Sequence, residues 1–228
     1  MASSLGSRAL RRLPGETAPG TPVRAIAPQR LDELARAMLV GAEPLRFAIG
    51  TTREAIEAAW HLRYAHAAGA GWIRPEDYPD EFERDAFDHR AIPILAWDGD
   101  RAVGTCRIVP PRSGRLLPVE DEFHLRVPPA GDAVEWGRLV VTEDHRGDRG
   151  YTVLMGLFAR AWLETRALGF HVVAGAARRA VIRLYRQLGF DVLVLGPARD
   201  CWGETRFPIR LGTAPPTRPR SVRRAATR

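Results

Sequence analysis

Residues 134–151 read VEWGRLVVTEDHRGDRGY, an apolar run that passes into a polar turn containing glycine. The pattern predicts a strand over residues 134–142 and a helix from Tyr151 to Leu168 that Gly169 ends. A strand that leads through such a turn into a helix brings free backbone N–H groups and the positive end of the helix dipole together. Such a place favours a phosphate group, although many strand-to-helix turns share the pattern.

A second stretch, residues 180–190, reads AVIRLYRQLGF and predicts a helix over residues 178–188 that Gly189 ends. Apolar runs predict a short strand before this helix and two strands after it, over residues 171–175, 191–195 and 204–209. The C-terminal half of the chain therefore alternates strands and helices.

The N-terminal half begins with two predicted helices separated by a strand. Apolar spacing indicates a short helix over residues 31–39, a strand over residues 45–49 and a second helix that ends near Ala67. Thr51 and Glu54 form a capping-box pattern at the start of the second helix. Its buried stripe is predicted to consist of Ile56, Trp60 and Tyr64.

A hairpin follows, with strands over residues 92–97 and 102–109 and a turn at Asp98-Gly99-Asp100. The segments on either side of it, residues 68–90 and 110–132, are predicted to be irregular. The order of elements predicts an α/β fold, a central mixed sheet with helices on both faces.

The two stretches together resemble the GNAT superfamily of N-acyltransferases. The segment Leu-Tyr-x-x-Leu-Gly-Phe at residues 184–190 is similar to the C-terminal motif of that superfamily and lies in the expected order. The resemblance implies a GNAT-like acyl-CoA N-acyltransferase fold, in which a thioester lies in a V-shaped gap between two strands. It implies that the backbone of Leu139, Val140 and Val141 binds the pantetheine arm and that Tyr185 gives a proton to the leaving thiolate.

An ordered series over residues 45–210 narrows the resemblance to acyl-homoserine-lactone synthases and N-acyl amino acid synthases. These GNAT-fold enzymes move a fatty acyl group from acyl carrier protein to an amine. The resemblance implies that Glu135 takes the amine proton through water and that the rest of the series binds the substrate. The series consists of Arg63, Trp72, Asp85, Asp88, Arg107, Phe123, Glu135 and Arg138.

Several members of this series are charged residues in otherwise apolar strands. A charge held in a core must be paired and hydrogen-bonded. Three arginines and three acids balance to zero, so we expect one network that ties residues 68–90 to the sheet and gives the amine a charged pocket. The alternative is a network that only holds this loop against the sheet and has no role in substrate binding. Its predicted members are Arg63, Arg107, Arg138, Asp85, Asp88 and Glu135.

The turn at residues 146–151 departs from the Arg-Gly-x-Gly-x-Gly or Ala pattern of the superfamily. Arg149 and Tyr151 occupy the later glycine positions, where side chains crowd a pyrophosphate and add positive charge. We therefore expect a single phosphate of a phosphopantetheine arm, delivered by an acidic acyl carrier protein, with acyl-CoA as the alternative donor. The predicted contacts come from Arg146, Gly147, Arg149, Gly150 and Tyr151.

The net charge of +7 is concentrated at the two ends of the chain. Residues 1–30 carry +4 and residues 206–228 carry +7, which leaves −4 on residues 31–205. The high basicity therefore gives little support for a nucleic-acid partner of the body. Residues 1–25 and 212–228 are rich in Pro, Gly, Ala and Arg and are predicted to be disordered tails around a domain at 26–211.

Other classes of protein are disfavoured by what the sequence lacks. No apolar run approaches the roughly 20 residues of a membrane-spanning helix, and the N-terminus has no apolar signal region. Cys106 and Cys201 lack metal-binding spacing and the histidines are scattered, so we predict no metal and no permanently bound cofactor. Two cysteines are compatible with a reducing compartment, so we expect a cytoplasmic protein.

The sequence therefore predicts an acyltransferase that moves a fatty acyl group from acyl carrier protein to the amine of a small molecule. An N-acyl amino acid synthase is preferred, because residues 201–208 resemble the closing segment of that branch. An acyl-homoserine-lactone (autoinducer) synthase that uses S-adenosylmethionine is the first alternative, followed by an acetyl-CoA-dependent acetyltransferase. A nucleic-acid-associated factor that uses the tails is the alternative from another class. Trp72 and Trp136 are candidates to line an acyl pocket.

Overall fold

A computed structural model describes residues 25–213, apart from the side chains of residues 148–150. The predicted disordered tails lie almost entirely outside the described residues. The described residues form five α-helices: α1 (Pro28–Gly41), α2 (Arg53–Gly69), α3 (Pro118–Phe123), α4 (Asp148–Ala167) and α5 (Arg179–Gln187). They also form eight strands: β1 (Arg46–Ile49), β2 (Ile92–Asp98), β3 (Arg101–Val109), β4 (Ala133–Val141), β5 (Val172–Ala177), β6 (Asp191–Val194), β7 (Arg199–Cys201) and β8 (Glu204–Gly212).

The strands form one mixed sheet in the order β1-β2-β3-β4-β5-β8-β6, and β7 pairs with β8 as a hairpin. All pairs are antiparallel except β4 and β5, which run parallel. The parallel pair is the place where the chain crosses over through α4. The predicted α/β fold with one central mixed sheet is therefore confirmed.

Alternating residues of the strands divide the apolar core into two layers. Ile108, Val134 and Val173 belong to the larger layer, which α1, α4 and α5 cover. Val109 and Ala174 point the other way, into a smaller layer under α3. The period of two along each strand produces this division, so helices lie on both faces of the sheet.

Helix α2 begins one residue later than the capping-box prediction. Thr52 is its N-cap, and the side chain of Thr52 accepts a hydrogen bond from the backbone N–H of Ala55 at 3.3 Å. The prediction of Thr51 as the cap was wrong, because two adjacent threonines offer the same chemistry and only the backbone geometry selects between them.

The predicted stripe of α2 is also displaced. Its fully buried residues are Ala59, Arg63 and Ala67, whereas Ile56, Trp60 and Tyr64 are only half-buried. The aromatic residues lie at the edge of this face, where Trp60 contacts Phe82 and Tyr64 contacts Tyr78 of the following loop. The larger side chains of α2 therefore hold the loop, and small side chains lie beneath the helix.

A β-bulge separates the two ends of β4. Register between β3 and β4 shifts between Thr105 and Arg107, and Arg138 opposite this shift has a φ of 53°. Bulges bend a strand and re-aim its side chains. Beyond Glu135 and Ala174, the last described pair, β4 and β5 share no ladder pairs. In the described part of the chain, no helix is long and apolar enough to cross a membrane.

Candidate active site

The divergence of β4 from β5 opens a cleft of about 670 Å³ in the middle of the sheet. From Trp136 onward, the edge of β4 that faces β5 has no strand partner, while its other edge still pairs with β3. Backbone groups on this unpaired edge of β4 are therefore available to a ligand in the cleft. Leu139, Val140 and Val141, which the sequence analysis proposed for the pantetheine arm, line the cleft.

Gly175 marks the point where the two strands separate. A Cβ atom on this residue would lie 2.7 Å from the backbone oxygen of Trp136, closer than a Cβ atom normally approaches another atom. The absence of a side chain therefore lets β5 approach β4 at the base of the cleft. Gly175 was not singled out from the sequence, because a glycine in a short strand has several interpretations.

The turn before α4 forms the polar end of the cleft. Arg146, Gly147 and Tyr151 line it, and Gly147 is the N-cap of α4 with a φ of 81° that favours glycine. The guanidinium of Arg146 is folded over the turn: Nε donates to the Val141 carbonyl at 3.2 Å and Nη2 donates to His66 Nδ1 at 3.0 Å. Backbone of the predicted Arg149 and Gly150 lies in the first turn of α4.

Tyr185 lies at the opposite, apolar end of the cleft. Its ring contacts Phe158 with centroids 5.3 Å apart and Phe190 at 6.0 Å. Burial raises the pKa of the Tyr185 phenol well above its usual value, so the hydroxyl stays protonated at neutral pH. Cys106 also lines the cleft, and burial raises the pKa of its thiol to about 12. Cys106 is therefore a neutral apolar residue there rather than a nucleophile.

The predicted charge network exists, but one of its acids is different. Arg63 binds Glu83 and also Asp88, at 2.7 Å. Arg107 binds Asp85 at 2.7 Å and Asp88 at 3.1 Å. Arg138 closes the ring with Asp85 at 2.8 Å and Glu83 at 3.2 Å. Three arginines still balance three acids, with Glu83 in the place predicted for Glu135.

The side chains of the network are largely buried, and their opposite charges stabilise one another. Burial alone would raise the pKa of Asp88, but the hydrogen bonds and charge of Arg63, with the charge of Arg107, hold that pKa far below its usual range. Glu83 is 2% exposed, and Arg63 and Arg107 are 4% and 3% exposed. Since each of these charges has a partner, the network fixes residues 83–88 against α2, β3 and β4.

Glu135 lies outside the network. Its Oε2 accepts a hydrogen bond at 2.6 Å from the backbone N–H of Val119, at the start of α3. Burial raises the pKa of Glu135 to about 7, although that bond and the charges of Arg107 and Arg138 oppose the shift. The carboxyl is 3.8 Å from the Cβ position of Gly137, which lines the cleft. The prediction of Glu135 as an ion-paired member was wrong.

The remaining predicted residues divide between the cleft and its support. Trp72 and Arg138 line the cleft, and so does Trp136. Phe123 does not: it is buried in the smaller core layer on α3. Arg63, Asp85, Asp88 and Arg107 lie behind the cleft wall, in the network.

Sequence reasoning missed a second cluster of polar residues, which lies in the cleft. It comprises His66, Glu204, Arg178 and Arg206, which all line the cleft. His66 and Glu204 carried no motif, and Arg178 and Arg206 were two arginines among many in this lysine-free chain. Only the folding of the β7–β8 hairpin toward α2 brings them together.

Comparisons with known proteins agree with this geometry. Residues 62–156 match a family described as "Acetyltransferase (GNAT) domain". The chain is similar in structure to the AHL synthase LasI, with a TM-score of 0.57, 18% identity, and coverage of 74% of this chain and 89% of LasI. It is also similar to the CoA-dependent acyl-homoserine lactone synthase BjaI, solved with SAM and isopentyl-CoA (TM-score 0.55, 22% identity, 71% of this chain and 77% of BjaI). No curated protein sequence matches the chain.

A third similar structure is FeeM, an N-acyl amino acid synthase from uncultured soil microbes. Its TM-score is 0.55 at 14% identity, over 75% of this chain and 90% of FeeM. Identities this low establish the fold. Together with the domain match over residues 62–156, they show that the chain has the fold of GNAT-type acyltransferases. The predicted GNAT-like fold, and the resemblance in structure to the group that contains both kinds of synthase, are confirmed.

Proposed function

We propose that the protein moves a fatty acyl group from acyl carrier protein to the amine of a small molecule, as an N-acyl amino acid synthase does. The observation that carries the proposal is the cleft between β4 and β5, which has a free backbone edge, a polar mouth and an apolar interior. Its volume of about 670 Å³ is in the range of small-molecule sites.

The donor arm would lie along the free edge of β4. The N–H and C=O groups of residues 139–141 suit the amides of pantetheine, and Arg146 with the N-terminus of α4 suits its phosphate. Arg146 would exchange its bonds to Val141 and His66 for the phosphate, because a charge-assisted hydrogen bond is stronger than a neutral one.

The acyl chain would occupy the apolar interior. Leu154, Phe158, Val173 and Ile209 line this part of the cleft, which far exceeds the needs of an acetyl group. A second, small apolar cavity lies between α1, α4 and α5 and shares Trp136, Phe158 and Tyr185 with the cleft. These features support a fatty donor over an acetyl donor.

The reaction needs few catalytic groups, because a thioester is already activated. The neutral amine attacks the thioester carbon, and a backbone N–H of β4 stabilises the oxyanion. Glu135, ionised in about half of the molecules near pH 7, takes the amine proton through water. Collapse of the intermediate expels the thiolate, which takes the proton of Tyr185 or of a water that Tyr185 orients. The proton held by Glu135 then returns through water to Tyr185, and the products are an amide and free pantetheine thiol.

An acyl-homoserine-lactone synthase is the second candidate, because LasI and BjaI have the same fold. Both candidates share the donor cleft and differ in the acceptor. The described structure therefore supports the acyl transfer step equally for the two.

Product identification tests the proposal. The purified protein would be supplied with acyl carrier proteins charged with acyl groups of 2 to 16 carbons, each with the twenty amino acids or with S-adenosylmethionine. We expect mass spectrometry to detect an N-acyl amino acid and a preference for chains longer than acetyl. An acyl lactone would favour the second candidate, and acetyl transfer alone would refute the fatty donor.

A further inference from the structure

The face of the cleft opposite Tyr185 has its own set of polar residues. His66 of α2 and Trp72 of the following loop form one side, with ring centroids 5.0 Å apart in an edge contact. Glu204 and Arg206, which share one face of β8, form the other side. Helix α2 lies on this side of the sheet. An acceptor bound here would therefore approach, from the α2 side, a donor that lies in the gap between β4 and β5.

Four arginines of the described residues line the cleft, and each has at least one partner. Arg138 belongs to the buried network, and Arg146 donates to Val141 and His66. Arg178 and Arg206 share a single carboxylate, that of Glu204, at 2.8 and 2.9 Å. One carboxylate between two guanidinium groups leaves an excess positive charge on this face.

His66 does not add to that charge at neutral pH. Burial, followed by the charge of Arg146, lowers the pKa of His66. The positive excess on this face therefore belongs to the arginines.

Among the cleft arginines, Arg206 is the one with an unused buried donor for a further anion. Its Nε is buried and has no hydrogen-bond partner, and among the described arginines with such an Nε it is the one that lines the cleft. The Cζ atom of its guanidinium lies over the Trp72 ring, 5.8 Å from the centroid. A buried donor without a partner carries a desolvation cost that an anion would remove.

We infer that Arg206 binds the carboxylate of the acceptor, so that the acceptor is an α-amino acid or a derivative with a free carboxylate. The inference rests on the proposed acyl transfer and adds the residue that selects the acceptor. A carboxylate at Arg206 places its amine within the cleft, and Trp72 supplies an apolar wall beside it. The phosphate of the donor has its own site at Arg146 and the start of α4.

Acceptor pairs test this inference. Amino acids and their carboxamides, which keep the amine but lack the anion, would be compared as acceptors for the wild-type protein and for Arg206→Gln. We expect the ratio of kcat/KM between acid and amide to fall 10- to 100-fold in the variant, the range for a charged hydrogen bond. Arg210→Gln is the matched control, because Arg210 lies on the same strand and also has a buried Nε without a partner, but does not line the cleft, so this variant should keep the ratio.

Calorimetric binding of the same acids and amides gives a reading that does not require turnover. Tighter binding of acids than amides, lost in Arg206→Gln and partly kept in Arg206→Lys, supports the inference even if the donor is misidentified. An unchanged ratio in Arg206→Gln, or a loss confined to the KM of the donor, would overturn it. If the wild-type protein acylates no amine yet binds acids selectively through Arg206, the proposed function fails while the carboxylate site at Arg206 stands.

Discussion

Glu135 illustrates how the hydrogen-bond partner and the pKa of a buried carboxyl can differ from what its sequence context suggests. An acid beside arginines in a strand suggests an ion pair, yet a backbone N–H from Val119 is its described partner. Burial raises the pKa of Glu135 to about 7, although this hydrogen bond opposes the shift. A base with this pKa is well matched to reaction near neutral pH.

We expect kcat to rise between pH 6 and pH 8 as Glu135 loses its proton, with an apparent pKa near 7. Glu135→Gln should lower kcat by roughly 10²- to 10⁴-fold and remove this limb of the pH profile. Glu143→Gln, an exposed acid of the neighbouring turn, serves as the control. A profile that keeps its acidic limb in Glu135→Gln would exclude Glu135 as the base.

The same pKa has a consequence for stability, with a definite sign. Between about pH 4.5 and pH 7 the folded protein holds a proton that the unfolded chain releases, so stability should fall as pH rises through this window. The contribution is on the order of 3 kcal/mol. Glu135→Gln should lose this part of the pH dependence in urea unfolding, which separates the titration of Glu135 from that of other carboxylates.

At the scale of elements, the sequence predicted regular segments well and short ones poorly. Period and length identified α1, α2, α4 and α5, and the turn signal Asp98-Gly99-Asp100 identified the β2–β3 hairpin. Helix α3 has six residues and β7 has three, too few for a period to appear. Tertiary contacts stabilise such short elements: Glu120 of α3 accepts hydrogen bonds from the backbone of Leu117 and Val127.

In the loop between α2 and β2, the sequence likewise did not reveal which side chains are buried. Seven acids between Glu76 and Asp88 made the loop an evident partner for buried arginines, but spacing alone did not reveal which acids turn inward. Glu83 does, at 2% exposure, because its backbone N–H donates to Trp60 and fixes it beneath α2.

Glu83→Gln should therefore destabilise the protein strongly, since it leaves Arg63 and Arg138 with one charge too many in a buried setting. We expect a loss of about 3–5 kcal/mol in the free energy of unfolding, measured with urea at pH 7. Glu81→Gln is the matched control, because Glu81 is exposed and its ion-pair partner is His61, 3.7 Å away. A loss below 1 kcal/mol would mean that Glu83 does not hold the network together.

At the scale of the whole molecule, the net charge does not show where charged side chains are concentrated. The body is acidic in sum, yet the solvent face of α5 carries Arg179 and Arg183 in the described structure, with Arg178 just before the helix. No acid occurs within α5. Arg178 also lines the cleft, so this basic helix begins beside the cleft. A sum over residues 31–205 cannot detect such a local stripe.

If an acidic carrier protein delivers the acyl group, reversing this charge should affect that donor and spare acyl-CoA. We expect the double variant Arg179→Glu and Arg183→Glu to lower kcat/KM for acyl carrier protein by roughly 10- to 100-fold, mostly through slower association, with a weaker salt dependence. Its kcat/KM for acyl-CoA of the same chain length should change less than threefold, because Arg146 and the β4 edge are untouched. The control reverses two exposed arginines elsewhere, Arg36 and Arg53. Equal losses for both donors would place the effect in the cleft rather than on a docking surface, and wild-type turnover that favours acyl-CoA would make CoA the donor.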